Sequence, residues 1–345
     1  MIEQRPVRVE NAHPALFLLP VNRRFWRRED LAPPERDAVS GHPAADSAVP
    51  QCNGEGSMTT DQNLDGENLQ ESLSRLEDQI RSDPSNAKHR IFLFQLLCVF
   101  GRWDRALNQL NVLEEMEASA IPMVRTYREA IRCEALRAEI FAGQRSPVIF
   151  GQPEEWTALL IEALRLTAEE KYPQAEDLRS RAFEAAPTTS GTINGVAFEW
   201  IADADGRLGP ILEVIINGRY AWVPFHRVSR IEIEEPTDLR DLVWLPGHFI
   251  WANGGELVAL IPTRYPGTET TEDKQLMLSR KTDWIEASTE TFLGRGQRML
   301  TTDAGEYPLM DVRRIELDTE DTGAESEQES PAGEEAGSVR DSSDA

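Results

Sequence analysis

Cysteine is scarce in this chain. Cys52, Cys98 and Cys133 stand far apart, with no CxxC pair and no framework of short spacings. That excludes a disulfide scaffold and suits a reducing compartment. Long apolar runs are also missing: none approaches the ~18 residues of a membrane span. Positive charge is in short supply, with 36 Lys and Arg against 60 Asp and Glu, a net charge of −24. Neither nonspecific nucleic-acid binding nor attraction to an anionic membrane fits that balance. Histidine occurs five times, never as HxxxH or HxH, so a metal site has no support. There is no GxSxG and no phosphate-cradling glycine loop ahead of a helix. Asp203 and Asp205 in ADADGRLG open like a calcium loop, but later ligands are missing, which leaves an Asp-Gly turn.

The ends lack a core-forming pattern. ALFLLP precedes the basic cluster RRFWRR, the reverse of the order in a secretory signal. Residues 1–67 read as a disordered extension. Within it, 1–57 is either an extension or sequence upstream of the true start, because Met58 opens a plausible second one. Residues 318–345 hold ten acids, one Arg and no aromatic residue. They are expected to form a disordered acidic tail, since they cannot bury enough apolar surface to offset ordering entropy.

What is present divides in two. Residues 68–190 carry a helical rhythm. Leu69, Leu73, Leu76 and Ile80 form one apolar stripe, and Asp83-Pro84 ends that helix. Gly101, Trp103, Ala106, Leu107 and Leu110 follow the spacing of a tetratricopeptide hairpin, and Tyr172, Ala175, Leu178, Ala182 and Pro187 fall in the same frame. Ala106 and Ala175 lie 69 positions apart, close to twice the ~34-residue period of such repeats. The segments between them, VRTYREAIRCEALRAEIFAG and PEEWTALLIEALRLTAEE, read as helices without the signature. The expectation is a short, degenerate array of the kind that binds a peptide or a helix; a plain helical bundle is the alternative.

Residues 191–317 switch to short β-branched and aromatic runs. TTSGTING reads as a linker-like turn cluster. Asn217-Gly218 and Asn253-Gly254-Gly255 mark two hairpins, and 269–280 is a short helix or a connection. A small, mostly antiparallel barrel or sandwich is expected, so the fold class is α+β. The densest stretch is 241–267, DLVWLPGHFIWANGGELVALIPTRYPG. Trp244 and Trp251 are odd-spaced and should point to opposite faces of a regular strand, unless Pro246-Gly247 inserts a bulge. Trp244, Trp251, Arg264 and Tyr265 are the candidates for a partner-contact surface, because aromatic residues and Arg dominate hot spots. Their alternative place is inside the core. A different class of function, a hydrolase or ligand-binding site, would use Asp241, His248, Glu256 and Arg264.

The stretch 241–267, with FEWIADADGRLGPILE before it and KTDW and GQRMLTTDAGEYPLMDVRRIEL after it, resembles the ImpE/SciE (TagJ) family of accessory proteins of bacterial type VI secretion systems. The resemblance spans about 68–317. It implies a cytoplasmic, non-enzymatic protein with a helical, tetratricopeptide-like first part and a distinct second domain. It further implies binding to the small subunit of the contractile sheath, through that subunit's N-terminal helix, and a link to the AAA+ ATPase that disassembles the sheath. It brings no catalytic residue, cofactor or metal.

Overall fold

The computed structural model describes residues 69–319. The expected N-terminal extension and nearly all of the acidic tail lie outside the described residues. The chain begins with helices: α1 (Leu69–Ser82), α2 (Ala87–Val99), α3 (Trp103–Met116), α4 (Ile121–Phe141), α5 (Glu155–Ala168) and α6 (Tyr172–Ala185). The leucine stripe of α1 is buried at Leu69, Leu73 and Leu76. Asn86 caps α2, its side chain accepting from the His89 N–H at 3.3 Å.

The two sequence copies form two helical hairpins, α2–α3 and α5–α6, with the same turn. Helix α2 ends with the Arg102 N–H on the Leu97 carbonyl and the Gly101 N–H on the Cys98 carbonyl; α5 ends with Lys171 on Leu166 and Glu170 on Thr167. This is the Schellman pattern, which needs a left-handed residue after the helix. Gly101 takes it at φ 63° and Glu170 at φ 61°. Ala106 and Ala175 then sit fully buried, where only a small residue lets two helices approach. Between the hairpins α4 runs on as one long helix, and the chain returns from it as a strand.

That strand is β1 (Val148–Ile149), followed after α6 by β2 (Gly191–Ile193), β3 (Val196–Phe198), β4 (Ile201–Asp203), β5 (Ile211–Ile216), β6 (Arg219–Pro224), β7 (Val228–Ile233), β8 (Trp244–Trp251) and β9 (Glu256–Pro262). A single helical turn, α7 (Lys274–Met277), precedes β10 (Thr282–Ser288), β11 (Thr291–Gly296), β12 (Met299–Thr302), β13 (Glu306–Pro308) and β14 (Arg314–Leu317). Nine strands make one sheet in the order β1-β6-β5-β9-β8-β7-β14-β2-β3; β13-β12-β4 and β10-β11 form two smaller sheets. Among the described residues only the β1–β6 pairing is parallel.

Asn217-Gly218 forms a two-residue turn between β5 and β6, with φ 49° and 73°. A second Asn-Gly pair does the same at Asn194 and Gly195, φ 50° and 81°, joining β2 to β3. The segment TTSGTING is therefore no linker. Its Ser, Thr and Gly content resembles one, yet Gly191–Ile193 pairs with β14 on one side and β3 on the other. Gly191 is required there, because a Cβ would lie 2.0 Å from the Glu316 carbonyl oxygen. The bulge expected at Pro246-Gly247 is absent. Strand β8 stays in continuous register with β9 from Trp244 to Ile250, and the irregularity falls instead between Val228 and Arg230 of β7.

Where the helices cover it, the sheet buries both faces through alternation of its side chains. One face of β5, β6, β8 and β9 carries Ile211, Ile215, Tyr220, Trp222, Trp244 and Leu260 into a core shared with the helices. The other carries Leu212, Val214, Val223, Leu245, Phe249, Trp251, Ala259 and Ile261 into a second core closed by Leu300, Leu309 and Ile201. Helices and strands thus share one apolar core and cannot be separated without exposing it.

Candidate functional site

The hairpin β8–β9 and the residues after it lie at the centre of this arrangement. Trp244 and Trp251 do face opposite ways, as their spacing requires, but neither faces solvent. Trp244 is fully buried between Trp103 and Tyr127, with ring centroids 5.8 Å from each. Its indole N–H donates to Glu134 of α4 at 2.8 Å. Trp251 stacks on Phe150 at 4.1 Å and on Phe249 at 5.2 Å, in the second core. Arg264 reaches back under the helices. Its guanidinium donates to the carbonyls of Val99 at 2.9 Å, Met277 at 2.8 Å and Cys98 at 3.3 Å, so it caps the end of α2. Burial lowers its pKa, and the three carbonyls supply the acceptors that water no longer can. The Tyr265 hydroxyl donates to Asp203 at 2.9 Å, and its ring lies so close over Gly294 that a Cβ there would approach within 2.4 Å. All four expected contact residues are between 0% and 5% exposed. None of them offers an exposed surface in this conformation.

Of the four residues of the hydrolase alternative, only His248 and Glu256 come together. Asp241 binds its own turn, accepting from the Thr237 and Asp238 N–H groups at 2.7 and 3.1 Å. His248 sits on the open part of the sheet, 3.4 Å from Glu256 and 3.9 Å from Glu232, and Glu256 is 68% exposed. These are surface cross-strand neighbours. Arg264 faces inward, against α2 and α7.

The structure shows a group that the sequence reading did not find. Glu213 lies in the middle of β5 at 0% exposure. Arg137 of α4 grips it with two bonds, Nε to Oε1 at 2.6 Å and Nη2 to Oε2 at 3.0 Å. Arg298 bridges Glu213 to Asp203, and its Nε donates to the Pro262 carbonyl at 3.0 Å. The Tyr220 hydroxyl also donates to Glu213 and accepts from the Trp222 indole at 2.9 Å. Two carboxylates and two guanidiniums therefore balance each other out of reach of water. Burial opposes the charge on Glu213, yet Arg137 and Arg298 pull its pKa down to about 2. At Asp203 burial prevails over the attraction of Arg298 and pushes the pKa up to about 6. Beside this chain, the Asp205 carboxylate binds the Arg207 guanidinium and accepts from the Gly294 N–H at 2.9 Å. The expected Asp-Gly turn is present, and its carboxylates are occupied by arginines. One signal in the sequence pointed here: a lone Glu inside the otherwise apolar run ILEVII.

These residues come from the segments that carry the family resemblance: Asp203 and Asp205 from FEWIADADGRLG, Glu213 from PILE, Arg264 and Tyr265 from the hairpin stretch, and Arg298 from GQRML. The model of the family described as ImpE protein matches residues 195–316. A relative named type VI secretion system accessory component TagJ, from Pseudomonas aeruginosa, is 53% identical over 267 residues, covering 77% of this chain and 93% of the relative. The chain belongs to the ImpE family. Among solved structures, the protein VPA1032 from Vibrio parahaemolyticus superposes with a TM-score of 0.66 at 26% identity, covering 74% of this chain and 95% of that one. The ImpE match begins just before β3 and ends in β14, so it takes in every strand that contributes to the buried ionic chain. Among the described residues, no helix is long and apolar enough to cross a membrane.

Proposed function

We propose that this ImpE-family chain is a non-enzymatic accessory component of a bacterial type VI secretion system. On this reading it works in the cytoplasm, binds the small sheath subunit through that subunit's N-terminal helix, and influences sheath assembly or recycling by the AAA+ ATPase. The observation that carries the reading is the 53% identity extending over 93% of a relative named as such a component. Stacked helical hairpins are a common platform for binding a partner helix, which agrees with this reading. His248 and Glu256 meet only on the surface, away from Asp241 and the inward-facing Arg264, which favours this reading over the hydrolase alternative. The test is a calorimetric titration of the full chain with a peptide of the sheath subunit's N-terminal helix, beside a pull-down of that subunit from cells carrying the secretion cluster. Saturable binding in both supports the proposal. Absence of binding by a folded chain in both overturns it.

A further inference from the structure

The ribbon β10–β11 forms a small sheet of its own, and among the described residues the outer edge of β10 pairs with no other strand. Its polarity can be read from β11. The N–H of Gly294 goes to Asp205 and that of Gly296 to Thr268, both at 2.9 Å, so these residues turn their backbone away from β10. Gly294 is opposite Trp284, Gly296 opposite Thr282, and Phe292 opposite Glu286. In an antiparallel pair such positions face outward on both strands. The backbone of Thr282, Trp284 and Glu286 therefore runs along the outer side of β10. At Trp284 the N–H is met by the Asp283 carboxylate at 2.9 Å. Among the described residues, no strand pairs along that side.

The side chains along the edge have a definite chemistry. Ile285 is 44% exposed, one of few large apolar residues left so. Asp283 and Glu286 lie close to it along β10, Glu290 follows at the turn into β11, and all three are exposed. An isolated two-stranded ribbon is marginal by itself, and this one is anchored along β11 and from beneath. Trp284 lies against Tyr265 with centroids 5.5 Å apart, and Ser288 and Thr291 donate to Glu176 of α6 at 2.7 and 3.0 Å. The base is fixed while the edge is presented.

We infer that the outer edge of β10 is a strand-addition site for an extended protein segment carrying two basic residues three positions apart with an apolar residue between them. In antiparallel register the basic residues lie opposite Glu286 and Asp283 and the apolar residue opposite Ile285. Main-chain bonds supply affinity and the acidic pair supplies selectivity. The site is separate from the helical hairpins, so its test is independent of the sheath-binding proposal.

The probe is the peptide TVKVTRVT, with TVEVTEVT as its charge-reversed control, titrated into the full chain at low salt. The expected result is binding of the basic peptide alone, with slowed amide exchange at Thr282 and Glu286. Glu286→Pro removes an outward N–H at an edge position where proline is compatible with the ribbon, and should weaken binding by about tenfold or more. A second variant, Glu286→Lys, retains the N–H and should abolish the preference between the two peptides, because Asp283 alone then faces a basic residue. No binding of the basic peptide, equal binding of both by the natural chain, or undiminished binding by a folded Glu286→Pro chain would each overturn the inference.

Discussion

Arg137 on α4 and Glu213 on β5 make a two-pronged ion pair, 2.6 and 3.0 Å, across the boundary between helices and sheet. Arg137 also donates to the Arg264 carbonyl at 2.8 Å, so one guanidinium ties the long helix to two parts of the β half. Together with the shared core, this makes the helical array and the sheet one mechanical unit. The ionic chain contributes less net stability than its bonds suggest, because burying charges costs nearly what their attraction returns. Arg137 is the one member of the chain that α4 supplies, so the placement of α4 on the sheet decides whether Glu213 keeps its second cation.

Breaking the chain at one member should therefore be severe. Arg298→Met leaves Asp203 without its cation and Glu213 with only one. Urea unfolding followed by tryptophan fluorescence should show a loss of about 3–5 kcal/mol. A loss below about 1 kcal/mol would mean that water or a rearranged side chain replaces the guanidinium.

Acid should act on the two carboxylates in opposite directions. The folded-state pKa of Glu213 is depressed to about 2 from 4.5, so its stabilising contribution is present above pH 4.5 and lost as pH falls toward 2. Asp203 is raised to about 6 from 3.8. Its contribution is full below pH 3.8 and is lost as pH rises through 6. Comparing the chain with Asp203→Asn, the stability difference should move in favour of the natural residue by on the order of 2 kcal/mol between pH 7.5 and pH 4. A difference independent of pH would show that Asp203 titrates normally.

Much of the fold could be read from local patterns, because local physics sets them. The leucine stripe of α1, the two hairpin frames and the Asn217-Gly218 turn all depend on neighbours in sequence. The open nine-stranded sheet did not follow from them. Strand order depends on which faces find partners, and β14 inserts between β7 and β2 across more than a hundred residues. The site shows the same division. Opposite orientations for Trp244 and Trp251 followed from strand period, but a hot-spot role was inferred from composition. Composition cannot distinguish an aromatic residue under a helix from one on a surface. Glu213 is the one charge in ILEVII, but the sequence does not show its partners, which lie 76 and 85 positions away.

Burial changes what substitution of the expected contact residues should do. Trp251→Ala removes the stacking partner of Phe150 and Phe249 and should cost about 3–5 kcal/mol. Arg264→Ala leaves the carbonyls of Val99 and Met277 without the guanidinium, while Cys98 keeps the Gly101 N–H, and should cost about 2 kcal/mol or more. Both should lower the melting temperature in circular dichroism, and any loss of partner affinity should follow loss of fold. A variant of either residue that keeps full stability while losing partner affinity would return it to the interface.

Ala106 tests the helical hairpin directly. It is fully buried at the crossing of α2 and α3, so Ala106→Leu should overpack the pair and cost about 1–3 kcal/mol. The same substitution at Ala175, equally buried between α5 and α6, should behave alike. A neutral effect at either would mean that its hairpin can open without loss.

The two hairpin turns offer a contrast, since Gly101 and Glu170 hold the same left-handed place in the same cap. Glu170 is exposed, so its side chain meets only the intrinsic strain of positive φ. Glu170→Gly should relieve that strain and stabilise the chain by up to about 1 kcal/mol. Gly101 has a second constraint. A Cβ there would lie 2.6 Å from both Cβ and Cγ of Glu269, on the loop that follows β9. Gly101→Ala should therefore cost more than the strain alone, about 2–3 kcal/mol, because it also pushes the turn off the β half. Removing the obstacle separates the two effects. In a Glu269→Gly background the penalty of Gly101→Ala should shrink to about 1 kcal/mol, the cost of the backbone conformation itself. An unchanged penalty in the double variant would show that the turn is not held against that loop.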